Sequence, residues 1–267
     1  MTQQHSPDLE RRFGGLARLY GAEGAARIRA ARVAVVGIGG VGSWAAEALA
    51  RSGVGAITLV DLDNVAESNV NRQIHALTST LGQPKVEAMC QRIALIHPGC
   101  EVHCVEDFAA PGNWPALLPA AVDGVIDACD QVHAKQALAA WALKTRALFI
   151  TCGAAGGKRQ GERVEIADLA EVTHDPLMAA LRARLRQTGS MAKGGKDRQA
   201  RSGLRVVFSR EAVTRPAACG PQPGHDRNLN CHGYGSAVTV TATFGLVAAG
   251  WMLERLAQGR ALQHPHT

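Results

Sequence analysis

Aromatic side chains make up only 4% of the 267 residues, too few for a surface that grips single-stranded nucleic acid by stacking its bases. A positively charged start leading into an apolar run is missing as well, so export by a secretory signal is not expected. No CxxC pair occurs anywhere, and the seven cysteines are odd in number and scattered. That pattern fits a reducing, cytoplasmic location better than a disulfide framework. Cys100 and Cys104 form a lone C-x3-C on an expected strand start, a spacing that argues against chelation, so no zinc is expected. Internal repeats and a clear linker are also absent.

What is present is an ordinary globular composition, 46% hydrophobic and 19% charged, long enough to bury a sizeable core. The expectation is one domain over residues 1–267, with a core at about 30–153 and a C-terminal part at about 154–267. Ser236 to Leu253 carries no charge and approaches the length of a minimal spanning helix. Its three Thr, two Gly and β-branched first half predict instead a buried strand or helix start leading into a final helix, Val247 to Ala257, with no membrane span. The net charge of +6 is uneven: Arg182 to Arg205 holds eight basic residues against one acid, Asp197, so this window carries +7 and the rest sums to −1. Within it, Gly189 to Gly203 is nearly devoid of apolar residues. It reads as a mobile basic loop, either merely solvated or a clamp for a phosphate backbone.

Along the chain, Arg12 to Arg29 has helical apolar spacing and predicts one or two short helices. Strands are expected at Arg32–Val36, Ala56–Val60, Glu101–Val105, Val122–Ala128 and Leu148–Cys152. Helices are expected at Ser43–Arg51, Lys85–Ile96 and Ala134–Lys144. This alternation predicts a Rossmann-like α/β fold, a largely parallel sheet with helices on both faces. Beyond about Ala154 the pattern loosens into strand-like stretches at Arg163–Ile166, Leu204–Phe208 and Ala237–Thr241, a C-terminal extension of strands and a final helix.

Gly37, Gly39 and Gly42 fall between the first strand and the next helix, with Gly40 inside the same loop. The first allows a tight turn, the second a close approach of backbone to phosphate, and the third close packing of helix on strand. The amides at the helix start then face an anion. Asp61 ends the second strand nineteen residues after Gly42, where an acid accepts hydrogen bonds from ribose hydroxyls. After it come Asp63, Asn69, Asn71, Arg72, Gln73 and Lys85. Fixed cations such as Arg72 and Lys85 neutralise a triphosphate and stabilise a departing pyrophosphate. Asp127 and Asp130 flank the end of another strand; an acid there would hold Mg²⁺ through phosphate oxygens and water.

The stretch VVGIGGVGSWAAEALARSGVGAITLVDLDNVAESNVNRQIHAL, together with Lys85 and the IDACD segment, resembles the adenylation domain of the ubiquitin-activating-enzyme-like (ThiF/MoeB/HesA) adenylyltransferases. RFGGLARLYG, GSWAAEALAR, NRQIHAL, HDPLMAALRARLR and TVTATFGLVAAG resemble one branch of that family, the tRNA threonylcarbamoyladenosine dehydratases, along nearly the whole chain. The resemblance implies ATP over Gly39 and Gly42, its ribose on Asp61, its phosphates among Asp63, Asn71, Arg72 and Lys85, and Mg²⁺ on Asp130. It implies a homodimer, with Arg12 or Arg18 reaching the partner's site; the family's arginine position is held here by Gly15. It further suggests a monovalent cation, K⁺ or Na⁺, in the C-terminal part.

The implied chemistry is attack of the modified base's threonyl carboxylate on ATP, then ring closure by its own carbamoyl group with loss of AMP. Such a reaction needs no enzyme nucleophile. Cys231, in the family's cysteine-bearing crossover segment, is the candidate reactive thiol, and a structural or sulfur-acceptor role, with a cysteine desulfurase as partner, is favoured over covalent catalysis. Lys193, Lys196, Arg198 and Arg201 would contact the tRNA backbone. The main alternative is activation of the C-terminus of a ubiquitin-like sulfur carrier, against which the missing CxxC pairs and the basic loop both count. An NAD-dependent oxidoreductase leaves Arg72, Lys85 and Asp130 without a use. A non-catalytic tRNA-binding module leaves the whole nucleotide constellation without one.

Overall fold

The computed structural model describes residues 8–191, 201–214 and 234–259. Their order is α1 (Leu9–Ala30), β1 (Arg32–Val36), α2 (Gly42–Arg51), β2 (Ala56–Val60), α3 (Lys85–Ile96), β3 (Glu101–Val105), β4 (Gly124–Asp127), α4 (Val132–Thr145), β5 (Phe149–Cys152), β6 (Val164–Asp168), α5 (Pro176–Gln187), β7 (Arg205–Ser209) and α6 (Val238–Ala257). The seven strands form one sheet in the order β3-β2-β1-β4-β5-β7-β6. All neighbours run parallel except β6, which pairs antiparallel with β7. The expected largely parallel α/β sheet is therefore what forms.

Side chains alternate along each strand and so feed two cores. Val33 and Val35 of β1 join Leu49 of α2, Met89 of α3 and Phe244 of α6 on one face. Ala34 and Val36 join Leu138 of α4 and Leu181 of α5 on the other. Helices thus cover both faces, as buried parallel strands require. β1 lies at the centre, paired with β2 on one side and β4 on the other. The chain order reverses there, and in open α/β sheets the crevice beyond the strand ends at that point receives ligands.

Three expectations need correction or completion. Ala237–Thr241 is not a strand, and the last helix does not start at Val247: α6 is one helix of 20 residues from Val238. Val240, Phe244, Ala248 and Met252 recur every fourth residue and are fully buried. Gly245 lies so close to α2 that a methyl group would come within 2.9 Å of Trp44 Cβ. Packing along that stripe outweighs the strand preference of Val238, Val240 and the threonines. No described helix is long and apolar enough to cross a membrane. Second, α5 is a helix where only loosened pattern was expected. Asp175 caps it by accepting from the Met178 amide at 3.0 Å, and Pro176 occupies its first turn, a strong start signal. Third, the N-terminal segment is two helical pieces joined at Gly21, whose φ of 76° breaks the helical path.

Candidate functional site

A cavity of about 700 Å³ opens beyond the C-terminal ends of β1, β2, β4 and β5. The turn after β1 sets its floor. Gly37 has φ 87°, and a methyl there would come 2.8 Å from the Cys129 amide; one on Gly42 would collide with the Gly37 carbonyl. Glycine at both positions lets the turns after β1 and β4 touch and lets α2 start against them. Val41, which caps α2, makes no side-chain capping bond, and Gly39, Gly40 and Val41 line the cavity. The start of α2 thus opens onto that space, the end of a helix that favours negative charge.

Asp61 ends β2 and is 8% exposed. Its carboxylate accepts from the Ile38 amide at 2.6 Å and the Asp63 amide at 2.9 Å, which ties β2 to the glycine turn. Burial raises its pKa, and nearby Lys85 works against that rise. Lys85 begins α3 directly after Pro84. Its ammonium bonds Asp63 at 2.7 Å and lies 3.9 Å from Asp61, while its amide donates to the Asp63 carbonyl. Arg72 is half-buried; its Nη1 donates to the Ser68 carbonyl at 2.7 Å and to Asn71 Oδ1 at 2.9 Å. Desolvation lowers its pKa, although a guanidinium keeps its charge at any working pH. Trp44 Nε1 donates to the Arg72 carbonyl at 2.9 Å and so fixes that turn against α2. Asp61, Asp63, Asn69, Arg72, Gln73, Lys85 and Asp130 all border the one cavity. Gln73 is 5% exposed, and its buried Oε1 has no partner among the described residues.

The other expected residues are placed differently. Asn71 does not border the cavity: its amide donates to the Ser236 carbonyl at 3.0 Å, anchoring the approach to α6. Gly42 acts by packing, as above. Asp127 does not border the cavity and is fully buried. It pairs with Lys135 at 3.1 Å and accepts from Thr151 Oγ1 at 2.6 Å and from Cys129 Sγ at 2.8 Å. Of the two acids considered for Mg²⁺, only Asp130 borders the cavity. Arg12 and Arg18 are exposed on α1 and do not border the cavity of their own chain. Arg12 donates to the Ile96 carbonyl beside Phe13 and Arg92. Arg201 is exposed, whereas Lys193, Lys196, Arg198 and Cys231 lie outside the described residues. Cys100 and Cys104 sit at the end of the α3–β3 connection and on the edge strand β3.

The far wall comes from the C-terminal part, through residues that the sequence did not single out. Gly153, Ala154, Ala155 and Gly156 follow β5, and Tyr234, Ser236 and Thr241 come from the approach to α6 and its first turn. The GAAGG run after an expected strand was the one visible signal, since small residues there let backbone meet a ligand. Cys129 also borders the cavity. Burial and the adjacent Asp127 push its thiol well above the usual range, so it is a poor nucleophile.

A strand–glycine turn–helix at the switch point, with a buried acid at the end of the next strand and two cations beside it, is the arrangement of a nucleotide-binding α/β protein. Residues 12–265 match the ThiF family, and the chain belongs to that family and, within it, to the tRNA threonylcarbamoyladenosine dehydratases. It is 43% identical over 259 residues to the tRNA threonylcarbamoyladenosine dehydratase of Escherichia coli (strain K12), covering 94% of this chain and 96% of that one. The Haemophilus influenzae enzyme of the same name is 39% identical over 253 residues, 93% of this chain and 94% of that one. The crystal structure of the Escherichia coli enzyme in complex with ATP superposes with a TM-score of 0.85 at 42% identity, covering 96% and 97% of the two chains.

Proposed function

We propose that this protein uses ATP to dehydrate threonylcarbamoyladenosine in tRNA to its cyclic form. The threonyl carboxylate attacks the α-phosphorus of ATP, the bond to pyrophosphate breaks, and an acyl-adenylate forms. A heteroatom of the neighbouring carbamoyl group then attacks the activated carbonyl carbon and loses its proton, and the bond to AMP breaks. The carboxylate oxygen leaves within AMP, so the base loses one water. Because nucleophile and electrophile belong to one molecule, ring closure has an entropic advantage that makes an enzyme nucleophile superfluous.

The observation that carries this reading is the set Gly39–Val41, Asp61, Arg72, Lys85 and Asp130 around one cavity, in a chain that aligns along its length with dehydratases. The start of α2 would face the phosphates, and Asp61, already oriented by two amides, would take the ribose. Arg72 and Lys85 would hold the negative charge that builds as pyrophosphate departs. Among the described residues no group of three or more His, Cys, Asp or Glu side chains could hold a metal unaided. Asp130 borders the cavity and would suit Mg²⁺, which keeps several waters and binds through one or two carboxylates plus substrate phosphates. When bound, that ion would neutralise the phosphate charge. A homodimer, with Arg12 or Arg18 presented to the partner, and tRNA contacts from Lys193, Lys196, Arg198 and Arg201 complete the proposal, in a cytoplasmic setting.

The test incubates the purified protein with ATP, Mg²⁺ and tRNA carrying threonylcarbamoyladenosine, then analyses the nucleosides by mass spectrometry. ATP-dependent loss of one water from the modified base is expected. ATP bound but no such loss, with pyrophosphate released only when a sulfur-carrier protein is added, would move the activity to carrier activation. Neutralising the four basic loop residues should weaken tRNA binding and flatten its salt dependence, with ATP binding unchanged.

A further inference from the structure

Lys158 follows the Gly153–Gly157 loop, four residues of which line the cavity. It is 2% exposed, and its ammonium is surrounded by main chain. Nζ donates to the carbonyls of Glu211 at 2.8 Å, Ser209 at 3.2 Å and His174 at 3.4 Å. These carbonyls come from the end of β7 and from the turn entering α5, 35 residues apart at the nearest. His174 holds φ 56°, a conformation rare outside glycine. Burial works against the charge of Lys158, while nearby Asp175 and Glu211 favour it, although the hydrogen bonds of those carboxylates go elsewhere. Glu211 accepts from the amides of Arg159 and Gln160, and Asp175 accepts from those of Ala154 and Met178. Three protons of one ammonium thus meet three neutral carbonyls.

Converging carbonyls of this kind replace the hydration shell of K⁺ in ion sites. The family resemblance suggests a free K⁺ or Na⁺ in the C-terminal part, yet this cluster already holds a cation. We propose that Lys158 is a built-in monovalent cation, its ammonium standing in for a free ion among the carbonyls of His174, Ser209 and Glu211 and thereby positioning the Gly153–Gly157 loop in the cavity wall. Being tethered, the charge is present at high effective concentration whatever the surrounding salt. The consequence for turnover rests on the reading of this cavity as the site of dehydration; the consequence for folding does not. Lys158 is a positioning residue, since it acts through the loop that follows β5.

The experiment uses the full chain in buffer whose only monovalent cation is tetramethylammonium, with K⁺, NH₄⁺ or Li⁺ added back. Melting temperature and pyrophosphate release are read in each. The wild type should melt and turn over alike in all four. Lys158→Ala should melt lower and lose roughly ten- to hundredfold in turnover, the scale of a displaced active-site wall. K⁺ or NH₄⁺ should restore both properties, and the smaller Li⁺ should restore neither. An ion-specific rescue of melting in Lys158→Ala, with no dehydration by the wild type, would keep the cation site and discard the dehydratase reading. A wild type that depends on added K⁺ overturns the inference. So does a Lys158→Ala variant that needs no ion, or one whose losses no ion reverses. If Lys158→Ala is recovered unfolded, refolding by K⁺ or NH₄⁺ supports the inference, and failure to refold in every ion overturns it.

Discussion

The two walls of the cavity solve the same problem in opposite ways. The wall built from β1, β2 and β4 presents side chains: Asp61, Asp63, Arg72, Lys85 and Asp130. The wall after β5 presents nearly bare main chain, Gly153 to Gly156, and its charged groups Lys158, Asp175 and Glu211 are turned onto backbone carbonyls and amides. Three buried lysines make the contrast plain. Lys85 borders the cavity, Lys135 lies beneath it against Asp127, and Lys158 stands behind the far wall. The lesson is that a buried charge is either an instrument or a scaffold, and its partners decide which.

The comparison breaks first at Lys135. Lys135→Ala leaves Asp127 charged and fully buried, so it should cost about 3–5 kcal/mol of stability in urea unfolding. Removing both partners, as Lys135→Met with Asp127→Leu, should recover most of it. A Lys135→Ala loss below about 1 kcal/mol would show that this pair is not scaffold. Next comes Arg72→Ala, on the side-chain wall. It should lower turnover about 10²- to 10³-fold, the cost of losing one transition-state donor, while melting close to wild type. Full activity in both Arg72→Ala and Asp130→Ala would remove the first wall from the chemistry.

His75 is a buried group that does not border the cavity. It is 1% exposed, with no partner for either ring nitrogen among the described residues. Burial, then Lys85 and Arg92, push its pKa down to about 4. The folded pKa lies below the unfolded 6.5, so the unfolded chain binds the proton first as pH falls, and stability drops between pH 6.5 and 4. The drop attributable to His75 is on the order of 3 kcal/mol by pH 4. His75→Leu should flatten the melting curve against pH over that range; an unchanged slope would place the acid sensitivity elsewhere.

The smallest effect is expected at Asp168, which serves the C-terminal region. Burial would raise its carboxyl, but Ser202, Ala170 and Gly203 donate to it and bring the pKa below the ordinary value. Its stabilisation is complete above the unfolded carboxyl value and vanishes as pH falls through the depressed native one. Asp168→Asn should therefore cost about 1–3 kcal/mol near pH 7 and progressively less in acid. A cost independent of pH would mean that packing, not charge, holds the Ser202–Gly203 turn.

Much of this could be read directly from the residues. Arg32–Val36, Ala56–Val60, Lys85–Ile96 and Glu101–Val105 have the bounds expected of them, because a short β-branched run or a helical apolar stripe is a local signal. Asp61, Arg72 and Lys85 could be named together because they follow one glycine turn within a short stretch of chain. The region after Ala154 was harder to read. α5 carried a clear Asp-Pro start that was passed over, and α6 begins with residues that favour strands until their burial against α2 is known.

The sequence by itself determined the alternation of strands and helices, the glycine turn and the charged groups beside it, since the signal for each lies within a short stretch of chain. Only the tertiary structure decided that Asp127 is buried against Lys135, that Gly153 to Gly156 form the far wall of the cavity, and that Lys158 is held by carbonyls 16 to 53 residues distant. A side chain's role follows from what surrounds it in space, and burial brings together groups that no local pattern in the chain relates.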